Sequence, residues 1–138
     1  RDRLRSRGLG DVYKRQLIAR FLKDAKPKVE VNDNRIQKVL SHIRKNIYKT
    51  VDIDSLAAIS CLSKDHFIRL FKKEVGTTPL QYINQKKIEK AQLILITEDI
   101  PVKNIAYLLA YEDHSYFNRL FKKITDVTPQ QYRELYKK

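Results

Sequence analysis

A single cysteine, Cys61, excludes an intramolecular disulfide framework. Three glycines and four prolines among 138 residues, with no tryptophan, supply too few turn formers for a β-sandwich or barrel and favour helices. No run of about twenty apolar residues is present and no segment has the layout of a signal peptide, so a reducing cytoplasm is the expected compartment and no membrane is the expected partner. Also missing are a phosphate-cradling glycine loop, clustered carboxylates and a Ser/His/Asp arrangement. Cys61 lies between the nearby apolar residues Ile59 and Leu62, without the basic setting that makes a thiolate nucleophile, and reads as a small buried filler. His42 and His66 have no second ligand at helical metal spacing. No enzyme, cofactor or metal site is expected.

What the chain does have is positive charge. It carries 29 Lys and Arg against 16 Asp and Glu, a net of +13, so a phosphate-rich, acidic or anionic surface is the natural partner. The first sixteen residues, RDRLRSRGLGDVYKRQ, contribute disproportionately: they hold six of the basic residues, two of the acidic ones and two of the three glycines, without apolar periodicity. Back-translated, Asp11 to Gln16 resembles the transposon end of a DNA sequencing-library adapter, and Ser6 to Gly10 continues it upstream. Native sequence is therefore expected from Leu17. The remainder keeps 23 basic and 14 acidic residues, net +9, so the basic character does not depend on the suspect segment.

Leu17, Ile18, Phe21, Leu22 and Ala25 have the spacing of the last turns of an amphipathic helix, and Pro27 opens a polar linker. Residues 17–33 thus read as the remnant of a lost N-terminal domain. Beyond them Ile36, Val39, Leu40, Ile43 and Ile47 recur on one helical face, which predicts a helix of about fourteen residues. Asp52 suits the N-cap of a short helix, Ile53 to Ile59, in which Ala57 and Ala58 permit close packing. Ser63 caps a third helix that turns Phe67, Leu70 and Phe71 inward and stops at Gly76. Thr78-Pro79-Leu80-Gln81 is a capping box with proline at the first helical position, and starts a long helix to about Ile96.

The pattern then repeats. Shifted by 50 residues, SKDHFIRLFKKEVGTTPLQYI (63–83) matches DHSYFNRLFKKITDVTPQQYR (113–133) at ten of 21 positions. Upstream, Leu56-Ala57 corresponds to Ile105-Ala106, with one extra residue in the second turn. Short helix, tight turn and second helix is the order of a helix-turn-helix. The expected fold is all-α: seven helices in a bilobed domain, with two helix-turn-helix subdomains (34–78 and 97–138) joined by a long central helix (79–96).

On these residues, 34 to 138 resemble the DNA-binding domain of AraC/XylS-type bacterial transcription regulators. The resemblance is carried by Leu56-Ala57, Ser63, Phe67 to Lys73, Gly76 to Pro79 and Tyr82, and in the second half by Ile105-Ala106, Asp113 to Phe117, Arg119 to Lys123 and Thr128 to Arg133. Two departures stand out: Ala110 occupies a turn where the family prefers glycine, and Asp126 stands where the first copy has Gly76.

The resemblance implies double-stranded DNA as partner, with base-edge contacts at Asp65, Ile68 and Arg69 in the first copy and at His114, Ser115, Asn118 and Arg119 in the second. Arginine can donate a bidentate pair to guanine, asparagine can pair with adenine, and Ile68 can touch a thymine methyl. Asp65 either accepts from a cytosine amine or balances Lys64, and His114 either contacts DNA or is structural. Phosphate contacts are expected from Lys64, Lys72, Lys73, Lys122 and Lys123, and at the helix starts marked by Ser63, Thr78 and Thr128. Tyr82 and Tyr132 are expected to pack behind their helices. A regulator of this kind reads two successive major grooves of an asymmetric promoter site, the fragment as a monomer and the intact protein as a dimer, and activates by touching RNA polymerase. The competing reading is a basic helical adaptor without a transcriptional role.

Overall fold

Asp33 starts the first helix by accepting the Arg35 backbone N–H on Oδ1 at 2.9 Å. The computed structural model describes residues 30–137, so the readings of the adapter-like segment and of the Leu17–Ala25 helix lie outside the described residues. Helix α1 (Asn34–Lys45) is two residues shorter than its apolar pattern predicts. Its last apolar position, Ile47, falls in the turn after the C-cap Asn46, whose N–H closes back onto His42 and Ile43. Helices α2 (Ile53–Ser60) and α3 (Lys64–Val75) follow, capped by Asp52 and Ser63 as expected. Phe67 and Phe71 of α3 are fully buried against Ile36, Val39 and Ile43 of α1, Leu56 and Ala57 of α2, and Ile83.

The chain then enters α4 (Pro79–Thr97) through the predicted capping box: the Thr78 N–H donates to Gln81 Oε1 and the Gln81 N–H donates to Thr78 Oγ1, both at 3.2 Å. Two helix donors are satisfied reciprocally, and proline at the first position loses nothing because its N–H would have no helical partner. The same box recurs at Thr128 and Gln131. After α4 come α5 (Val102–Leu108), α6 (His114–Thr125) and α7 (Pro129–Tyr136). These seven helices, with no strand among the described residues, form the expected all-α architecture, and no helix is long and apolar enough to cross a membrane.

Two hydrophobic cores result, and α4 serves both. Ile83 belongs to the first, while Ile88, Ala91, Ile94 and Leu95 join Ile105, Ala106, Leu109, Phe117, Phe121 and Val127 in the second. The border between the cores therefore falls within about one and a half helical turns, between Ile83 and Ile88.

Both helix-turn-helix turns need one residue in the left-handed region. In the first it is Cys61 (φ 59°), in the second Ala110 (φ 65°). The hydrogen bonds agree: the Leu62 N–H reaches the Ala57 carbonyl at 3.1 Å, and the Tyr111 N–H reaches the Ala106 carbonyl at 3.0 Å. The extra residue of the second turn is thus accommodated after the left-handed position and leaves its geometry intact. The expectation that Cys61 is buried is corrected here. It is exposed, because it occupies the left-handed C-cap of α2, the corner at which the chain leaves the helix, and fills no space in the core. Gly76 (φ 95°) and Asp126 (φ 72°) both cap their helices in the left-handed region, and Asp tolerates that conformation better than most residues.

Candidate nucleic-acid interface

The side of α3 opposite Phe67 and Phe71 carries Lys64, Asp65, Arg69, Lys72 and Lys73, all exposed. Arg69 makes no ion pair among the described residues. Lys64 pairs at 3.8 Å with Asp54 of α2, and Asp65 has no ion pair among the described residues. Ile68 is partly buried against the first core, which leaves only part of its side chain at the surface. Ser63 is engaged in capping: its Oγ accepts the His66 N–H at 3.3 Å.

Helix α6 repeats the arrangement with different side chains. Asp113 Oδ1 accepts the Ser115 N–H at 2.8 Å, and Phe117 and Phe121 face the second core. Ser115, Arg119, Lys122 and Lys123 are exposed, while His114 and Asn118 are half-buried. Asn118 occupies the position of Ile68, and its Oδ1 is out of solvent without a hydrogen-bond partner among the described residues. Its neighbour Tyr116 is exposed, with its ring 6.1 Å from that of Tyr111.

Behind the two helices the supports are nearly identical. Phe67 and Phe71 rings lie 5.8 Å apart and Phe117 and Phe121 rings 6.0 Å apart. Tyr82 and Tyr132 pack behind α3 and α6, as their positions after the Thr-Pro boxes imply. No group of three or more metal-ligating side chains comes together among the described residues.

Sequence reasoning did not single out Lys87 or Tyr111. Lys87, on α4, is 4% exposed and donates from Nζ to the carbonyls of Lys49 (2.8 Å) and Leu109 (2.5 Å). Its Nζ also lies 5.5 Å from the centre of the Tyr111 ring. Burial pushes the Lys87 ammonium down to about 8. The Tyr111 hydroxyl donates to Asn84 Oδ1 at 2.9 Å, and burial raises that phenol above its ordinary range. The available signal was the four-residue ladder Ile83, Lys87, Ala91, Leu95, which sets a lysine in an otherwise apolar stripe.

Two copies of one unit, each an exposed basic helix braced by an aromatic pair and preceded by a short helix and a left-handed turn, define the chain as a tandem helix-turn-helix protein. A family model described as "Helix-turn-helix domain" matches residues 56–135. The chain belongs to this family and is of its AraC/XylS type, whose fold is that of DNA-binding transcription regulators and not of enzymes. It is similar to the MmsAB operon regulatory protein of Pseudomonas aeruginosa, 34% identical over 94 residues that cover 68% of this chain and 31% of that protein. The chain spans about a third of the length of the curated relatives it matches. Among solved structures it resembles the C-terminal domain of the two-component response regulator yesN from Fusobacterium nucleatum, with TM-score 0.69 and 31% identity, covering 73% of this chain and 99% of that one. The fold is also that of the DNA-binding domain of AdpA, solved with a target DNA: TM-score 0.70, 24% identity, 74% of this chain and 92% of that one.

Proposed function

We propose that this chain is the DNA-binding part of a transcription regulator, and that it binds double-stranded DNA by laying α3 and α6 into successive major grooves of an asymmetric site. The observation that carries the reading is the duplication itself: two equivalent helices, each with an exposed arginine and lysine pair, mounted on one connecting helix. The connector α4 has 19 residues, about 28 Å at the usual rise, against about 34 Å between major grooves on one face of DNA. The fold shared with the AdpA domain, whose structure contains a target DNA, supports the same partner.

In this reading Arg69 and Arg119 donate to base edges, with Asp65, Ser115 and His114 beside them. Ile68 and Asn118 offer only the parts of their side chains left outside the cores. Lys64, Lys72, Lys73, Lys122 and Lys123, together with the helix starts at Ser63, Thr78 and Thr128, hold phosphates and set register without reading sequence. The subdomains run 34–78 and 97–138 about the connecting helix, the piece acts as a monomer within an intact protein that dimerises, and the regulator activates by contacting RNA polymerase.

Selection of bound sequences from random duplexes, repeated with Arg69→Ala and Arg119→Ala, tests this. Each substitution is expected to relax one half of the selected site, at about 1–3 kcal/mol for a lost bidentate base contact. Uniform weakening on all sequences would reassign both arginines to phosphate, and no enriched sequence at all would overturn the reading.

A further inference from the structure

Among the described residues Lys87 is the one buried charged side chain, and it stands where α4 passes from one core to the other. Its two acceptors lie on opposite sides of that border. The Lys49 carbonyl belongs to the loop between α1 and α2, and the Leu109 carbonyl closes α5, at the turn that leads into α6. Backbone oxygens at a helix C-terminus carry partial negative charge, which favours an ammonium there. No carboxylate pairs with Lys87 among the described residues, so these carbonyls and the Tyr111 ring are what compensate its burial. A methylene chain of the same length would fill the space; the ammonium adds a three-point connection between α4, the first lobe and the second turn. The Asn84 to Tyr111 hydrogen bond, one turn earlier on α4, fastens the same turn a second time.

We propose that Lys87 is a positioning residue that fixes the separation and rotation of α3 relative to α6, and thereby sets the half-site spacing the protein accepts. The inference rests on the two-groove reading above. One base pair of altered spacing moves a groove by about 3.4 Å and turns it by roughly 35°, so a connector held at one angle discriminates between neighbouring spacings and a loosened one does not.

The test is Lys87→Met, with two readouts. In the first, affinities are measured for a series of duplexes in which the two selected half-sites are moved apart or together one base pair at a time. The wild-type protein is expected to prefer one spacing sharply, and Lys87→Met to flatten that preference several-fold while its base preference within each half-site is unchanged. In the second, spin labels on Cys61 and on the Glu112→Cys variant, both exposed positions in the two turns, report the distance between lobes without DNA. The wild-type distribution is expected to be narrow and that of Lys87→Met broad. Unchanged spacing preference in Lys87→Met overturns the proposal, whether or not the distances broaden, because Lys87 would then be structural only. Absence of specific binding by the wild-type protein is a failure of the two-groove reading instead, and the distance measurement still decides whether Lys87 fixes the lobes. If Lys87→Met does not fold, Lys87→Gln, which removes the charge and shortens the side chain, is read in the same two ways, with the same expected and overturning results.

Discussion

Phe121 and Tyr132 meet edge to face, with ring centroids 5.6 Å apart and planes at 78°, and Phe71 meets Tyr82 in the same way at 5.7 Å and 73°. Each pair ties α3 or α6 to the helix after it. Phe71→Ala and Phe121→Ala remove fully buried rings and are expected to cost about 3–5 kcal/mol each by denaturant unfolding. Tyr82→Phe and Tyr132→Phe keep the aromatic contact, and neither hydroxyl makes a hydrogen bond to another described residue. They are expected to stay within about 1 kcal/mol of the parent and to leave DNA affinity unchanged. A large loss of affinity in either phenylalanine variant would mean that the hydroxyl itself meets DNA.

Ala110 and Cys61 hold positive φ with a Cβ in place, which costs roughly 1–2 kcal/mol relative to glycine. Part of that is returned by the greater freedom glycine brings to the unfolded chain. Ala110→Gly and Cys61→Gly are each expected to stabilise by about 1 kcal/mol and to raise the melting temperature by a few degrees. The effects should add, since the two turns lie in different lobes. A lowered melting temperature in Ala110→Gly would show that the alanine methyl is packed well enough to outweigh its backbone strain.

The elements that could be read from sequence are those set by short-range chemistry. Asp52, Ser63 and Thr78 cap within three residues of themselves, and the Thr-Pro-x-Gln boxes carry their whole mechanism in four positions. The exposed faces of α3 and α6 were legible for the same reason, since Phe67 and Phe71 fix which side turns inward. The margins of those faces were not. Whether Ile68 and Asn118 look outward or into the core depends on how closely α2 and α5 approach, which no local pattern encodes. Lys87 was missed because its acceptors are 38 and 22 residues away and exist only once both lobes have closed on α4. Cys61 misled because apolar neighbours in sequence do not reveal that the residue between them takes the left-handed corner.

If DNA binding neutralises about six to eight phosphates, the logarithm of affinity should fall with the logarithm of salt concentration at a slope of roughly −5 to −7. Lys72→Ala or Lys123→Ala should each reduce the steepness by about one without changing the selected sequence. Affinities measured across a salt series for the three proteins provide the check. A slope near zero would exclude binding through the basic faces of α3 and α6.

The buried ammonium also makes stability depend on pH in a defined direction. Lys87 titrates at about 8 in the folded protein and at 10.5 ordinarily, so between those values the unfolded chain holds more protons and stability rises with pH. Burial of the Tyr111 phenol works in the opposite sense, but only above about pH 10, where an unfolded tyrosine begins to ionise. The clean window is therefore pH 7 to 9.5. Across it the wild-type protein is expected to gain about 2 kcal/mol relative to Lys87→Met, measured as the difference between their urea unfolding free energies, because the groups common to both proteins cancel. Both carbonyl hydrogen bonds can survive the titration, since a neutral amine still has two N–H donors. A difference that stays flat with pH would mean that the two carbonyls and the Tyr111 ring compensate the charge fully, and that the folded ammonium titrates where an exposed lysine does.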